Sequence, residues 1–153
     1  MVKDLPLLLQ CAPFKFTYAI GKGRSRYACT VKLNALAKKS SQGQIHFNQA
    51  SADLDQGFDP RVAVELAQRL GSGEWDGDQD RLTAKLPADL WDRVITDRNG
   101  CAGNKCPEFS ACPFFAARRR MQGADVIVAN HDLVLAALNM QPGTVLPDPA
   151  DCF

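Results

Sequence analysis

The stretch that most constrains this chain is Cys101-Ala-Gly-Asn-Lys-Cys106-Pro-Glu-Phe-Ser-Ala-Cys112-Pro-Phe-Phe, with three thiols within twelve residues. Gly100, Gly103, Pro107 and Pro113 punctuate it. A loop of this kind can turn several sulfurs toward one point, whereas the fixed side-chain period of a helix or strand would separate them. The run also calls for a partner. Cys29, in Arg26-Tyr-Ala-Cys29, lies 72 positions upstream of Cys101. If all four thiols meet, the segment between them becomes a closed lobe hung on a metal site.

Three readings of Cys29, Cys101, Cys106 and Cys112 compete. Structural zinc uses four thiolates, but its hairpins usually bring together two closely spaced cysteine pairs. Here the ligands are spaced x4 and x5, with the fourth standing alone. An iron–sulfur cluster has corners spread further apart and suits a three-plus-one arrangement. Free structural cysteines are the third reading, and they leave the glycine and proline punctuation unexplained. Disulfides are not expected. No apolar run reaches membrane-spanning length and the N-terminus lacks a signal-peptide layout, so the expectation is a soluble intracellular chain with reduced thiols.

The net charge of +1 conceals a strong polarisation. Residues 15–39 carry seven Lys or Arg and no acid, and residues 98–120 carry five against Glu108 alone. Between them, residues 53–97 have eleven acids and five bases. The basic segments are those that hold the four cysteines. Such an excess suits a phosphate backbone running past the site; a solvated basic face is the plainer alternative.

Along the chain, Leu5-Pro-Leu-Leu-Leu within residues 1–12 reads as a short buried helix, with Cys11 at its end as a small buried hydrophobe. Phe14 to Ile20 alternates and reads as a strand ended by Gly21-Lys-Gly23. Cys29 leads into a helix over 30–40, and residues 41–60 read as an irregular insertion in which His46 is a surface histidine. Asp59-Pro60 starts a helix that Gly71-Ser-Gly73 closes. Trp75 anchors a turn whose acidic neighbours are expected in solvent. Residues 87–95 form another helix, with Leu90, Trp91, Val94 and Ile95 inward. Cys112 caps a helix from Phe114 to Gln122, where the positive helix end favours a thiolate. Asp125 to Ala129 reads as a buried parallel strand, and Asn130 caps a last helix with Leu133, Val134, Ala137 and Leu138 inward. His131 is expected in a hydrogen-bonded structural role, and Cys152 as inert. The fold class is thus α/β with an inserted, mostly α-helical lobe. Residues 1–28 and 113–153 form the α/β part, and 29–112 the lobe.

Arg24-x-Arg26-Tyr27-x-Cys29, Trp75-Asp76-Gly77, the Cys-x4-Cys-x5-Cys-Pro-Phe-Phe run and Ala124-Asp-Val-Ile-Val-Ala-Asn130-His131-x-Leu133 together resemble the DinG helicases, bacterial members of the iron–sulfur superfamily 2 group. The resemblance runs through nearly the whole chain in order. It implies that Cys29, Cys101, Cys106 and Cys112 hold a 4Fe–4S cluster, in a domain inserted into a RecA-like motor domain. It also implies an ATP-dependent 5′–3′ helicase, cytoplasmic, monomeric and independent of membranes, acting on single-stranded DNA. Lys22, Arg24, Arg26, Arg118, Arg119 and Arg120 are the expected phosphate contacts. Tyr27 and Phe109 are candidates for stacking on bases or for packing around the cluster. A redox-regulatory use of the cluster is a further expectation. No Gly-x4-Gly-Lys-Ser/Thr phosphate loop and no Asp-Glu-Ala-His box occur in these 153 residues, so ATP and Mg are expected only in a longer parent, along with the rest of the motor. The rival is a non-catalytic zinc module with the acidic 53–97 segment as a protein-binding face.

Overall fold

The computed structural model describes residues 4–42, 59–140, 143 and 145–147. His46, Cys152 and most of the expected 41–60 insertion lie outside them. The chain is mixed α/β, with about half of the described residues helical. It divides into two compact units. One joins both ends of the chain, Met1–Lys22 and Ala117–Phe153, and the other is the continuous segment Gly23–Ala116.

The middle unit is helical and holds the hydrophobic core. Helix α2 (Thr30–Gln42) packs on α3 (Pro60–Ser72) and on α4 (Ala88–Val94). Asp59 starts α3 by accepting from the Arg61 amide at 2.9 Å, with Pro60 in the first turn. Gly73 ends it in the left-handed region (φ 79°). Buried Ala63 and Leu66 of α3 meet Leu33 of α2 and Leu90, Trp91 and Val94 of α4, with Ala28 and Trp75 completing the cluster. Ile95 lies at its margin, half-buried, as do Val62, Ala67 and Leu70. The two tryptophans meet edge to face at 6.4 Å.

The turn after α3 differs from the sequence expectation. Trp75 anchors it as expected, buried, with Nε1 donating to the Asp78 carbonyl at 2.8 Å. Asp78, however, is buried and not in solvent. Its carboxylate accepts the Asp80 amide at 3.0 Å, and its backbone bridges to Tyr27. Desolvation of this acid is offset by capping the single-turn helix at Gln79–Arg81.

In the unit formed by the two ends, β1 (Tyr18–Gly21) and β2 (Val126–Ala129) pair in parallel, with Tyr18 opposite Val126 and Gly21 opposite Ala129. Gly21 is the last residue of β1, so the strand ends at Gly21-Lys-Gly23 as expected. Thr17 and Asp125 fix the register: the Thr17 amide and hydroxyl both donate to Asp125 Oδ2, at 2.7 and 2.8 Å. The flanking helices are α1 (Asp4–Cys11) and α6 (His131–Leu138), and α5 (Pro113–Gln122) crosses the division between the units. Asn130 caps α6 as expected, accepting from the Leu133 amide at 3.1 Å.

Burial in this unit is thinner than the apolar pattern suggests. No residue of α1 is buried, and Cys11 is exposed. Val126 of β2 is exposed, and of the expected inward face of α6 only Leu133 is buried, Val134 and Leu138 being exposed. Two short strands and single-layer helices present too little surface to cover these side chains. Among the described residues, no helix is long and apolar enough to cross a membrane.

Candidate metal centre

The segment 24–29 reaches the cysteine loop through the Trp75-Asp76-Gly77 turn. Gly77 accepts the Ala28 amide at 2.9 Å, and the Val94 carbonyl accepts the Cys29 amide at 2.7 Å. Gly77 also lies against Pro113, so closely that a Cβ there would stand 2.3 Å from Pro113 Cγ. One turn thus carries Cys29 on one side and the residue after Cys112 on the other.

Both of these cysteines precede a helix. The Cys29 carbonyl takes the first bond of α2, from Leu33, and the Cys112 carbonyl takes that of α5, from Ala116 at 2.8 Å. Each of the two cysteines therefore stands at the N-terminal end of a helix. Cys106 is tied to Cys112 by turns: its carbonyl accepts from Phe109, and the Phe109 carbonyl accepts from Cys112. A short helical turn at Gly103–Lys105 separates Cys101 from Cys106.

Cys112 lies within electrostatic reach of both Cys29 and Cys101. Burial pushes its thiol up; the amides of Phe115 and Phe114 oppose this by hydrogen bonding, and the two neighbouring thiols push it up further. Cys101 Sγ accepts from Arg24 Nη1 at 2.8 Å and from the Gly103 amide at 3.4 Å. Beside Cys29, the buried Thr30 hydroxyl finds no partner among the described residues. The five described cysteines are all free thiols. Among the described residues, no three Cys, His, Asp or Glu side chains stand where one metal ion would be held. The donor set fits a group held by several thiolates, because sulfur charge is met by helix ends, amides and a guanidinium.

The aromatic residues form a wall beside these sulfurs. Tyr27 is only 4% exposed and meets Phe114 edge-on at 6.1 Å. A base could stack on it only after the ring came out of that packing. Phe109 lies 4.4 Å from Phe115, centroid to centroid.

The basic candidates have different fates. Arg24 is half-buried and engaged by Cys101, with its guanidinium 4.0 Å from the centre of Phe114, an arrangement that the sequence pattern missed. Arg26 is partly exposed and paired with Asp80. Lys22 follows β1, while Arg118, Arg119 and Arg120 lie in α5, the last two exposed. His131 is exposed at the first position of α6.

No protein-family model matches the chain. Individual proteins do. The chain is 40% identical over 150 residues to the ATP-dependent DNA helicase DinG of Escherichia coli K12, covering 96% of this chain and 20% of that protein. The DinG proteins of Salmonella typhimurium and Photobacterium profundum match the same share of the chain at 39% and 33% identity. The chain spans about a fifth of the length of these curated relatives. Over that fifth, it belongs to the DinG family.

Proposed function

We propose that this chain is the iron–sulfur segment of an ATP-dependent 5′–3′ DNA helicase, with Cys29, Cys101, Cys106 and Cys112 as ligands of a 4Fe–4S cluster. The observation that carries the reading is the turn at Gly77, which accepts the amide of the residue before Cys29 and packs on the residue after Cys112, in a sequence homologous to DinG. When bound, the cluster supplies four iron–thiolate links that pin the ends of the helical segment together, with a redox-active centre at the join. The protein's own residues do the rest. Helix ends and amides offset the sulfur charge, the aromatic rings pack beside the cysteine loop, and the basic residues face the nucleic acid.

Single-stranded DNA is the proposed partner, held through Lys22, Arg26, Arg118, Arg119 and Arg120. The chain forms part of a RecA-like motor domain in a cytoplasmic, monomeric parent, whose other segments bind ATP and Mg. The Arg26–Asp80 pair is exposed enough for a phosphate to compete with the carboxylate. Fluorescence anisotropy of a labelled single strand, measured across a salt series with the iron-loaded chain, tests the reading. The chain should bind, and Arg26→Gln should lower the magnitude of the slope of log affinity against log salt by about 0.7. Absence of binding, or an unchanged slope in the variant, would count against it.

A further inference from the structure

The Arg24 guanidinium is held from two sides. Nη1 donates to Cys101 Sγ at 2.8 Å, and the guanidinium carbon lies 4.0 Å from the ring centre of Phe114 and 5.5 Å from that of Phe115. Phe114 is itself buried, and Phe115 packs on it at 5.2 Å. These rings follow directly after Cys112 and Pro113. One side chain therefore joins the start of the cysteine loop to its end, across residues whose thiols lie in electrostatic reach of each other.

We infer that Arg24 is a positioning residue of the cysteine site and not a DNA contact. It fixes the Cys101 sulfur toward the bound group and adds a positive charge beside it. This rests on the cluster reading above. The chemistry follows from three properties of the guanidinium. It stays charged, its planar face suits an aromatic ring, and its edge donates to sulfur at the same time. Lysine supplies the charge and a donor but not the flat face, so it can do only part of the work. A charge and a hydrogen bond delivered to a ligand sulfur stabilise the more negative state of the group it holds, and raise its reduction potential. The neighbouring rings cover part of the guanidinium and so reduce the solvent screening of that charge. Arg26, two residues on, differs in each respect. It is exposed and paired with a carboxylate.

The test compares the whole chain, purified without oxygen and loaded with iron and sulfide, with Arg24→Lys and Arg24→Met. Three quantities are read: the midpoint potential from a dye-coupled titration, the rate of iron loss to a chelator, and the salt slope of single-strand binding. Arg24→Met should have a lower potential and lose iron about 10-fold faster or more. Arg24→Lys should fall between it and the wild type. The salt slope should stay at the wild-type value in both. Emission of the buried Trp75 and Trp91 reports whether each variant folds, and if Arg24→Met does not, the potential of Arg24→Lys decides. A potential and an iron-loss rate equal to wild type would overturn the inference while leaving the cluster in place. A reduced slope with both unchanged would return Arg24 to the phosphate contacts. A wild-type chain that takes up no iron would remove the cluster reading and this inference together.

Discussion

Gly77 is the residue on which the site's geometry depends most. Its φ of +81° is one that other residues adopt only with strain, and Pro113 occupies the space a side chain would need. Gly73, four residues earlier, shares the backbone conformation (φ +79°) but has open space around it. The pair separates the two effects. Gly73→Ala should cost about 1–2 kcal/mol from the left-handed backbone alone. Gly77→Ala should cost about 3–5 kcal/mol, because overpacking against Pro113 adds to the strain. Urea unfolding followed by tryptophan emission measures both, since Trp75 and Trp91 are the chain's two tryptophans and share one core. Equal losses at the two glycines would contradict this account of the turn. Much at this scale was legible in the sequence. Asp59-Pro60 and Asn130 act on amides two or three residues away, so their pattern reads locally. Arg24 and Asp78 did not read. The partner of Arg24 lies 77 positions on, and an acid among acids gives no sign of burial until Tyr27 is brought against it.

Among the elements, the parallel strand pair shows how a polar strap can set register where apolar cover is thin. Thr17 gives Asp125 two hydrogen bonds, and the Asp125 amide returns one to the Thr17 hydroxyl at 3.1 Å. These bonds hold the Asp125 carboxyl below the ordinary value of 3.8, the backbone amide of Thr17 contributing most. A depressed folded value means that the unfolded chain binds the proton more readily. The strap's stabilisation is therefore fully present above pH 3.8 and is lost as the pH falls through the folded value. A carboxyl carbon titration of Asp125 should give a midpoint below 3.8, moving up toward that value in Thr17→Val. A midpoint at or above 3.8 in the wild type would show that the strap does not form. The strands themselves were readable from Val126-Ile-Val-Ala and from the aromatic run before Gly21, but their exposure was not. An apolar run records that a strand can be covered, not how much of the cover its own chain provides. The same reasoning applies to α1 and to the outer face of α6, where Leu7, Leu8, Leu135 and Leu138 are exposed.

At the scale of the whole molecule, the chain is built so that its middle segment leaves and returns beside cysteines. The helical unit carries the core of Leu33, Leu66, Leu90, Val94 and the two tryptophans. Helices start directly after Cys29 and Cys112, and the turn at Gly77 lies against both starts. The spacing of the thiols was visible in the sequence because three of them fall in one punctuated loop. What drew Cys29 to that loop was not visible, since it depends on Ala28 pairing with Gly77 and Cys29 with Val94. This arrangement, in a chain matching one fifth of DinG, is what the cluster proposal explains. The measurement that tests it most directly is iron, sulfide and zinc content per chain after oxygen-free purification and reconstitution. It should be made on the wild type and on single Cys→Ser variants at positions 29, 101, 106 and 112. The account predicts about four irons and four sulfides in the wild type, with marked loss in each variant and none in Cys11→Ser. One zinc without sulfide, or full iron retention in any of the four variants, would contradict it.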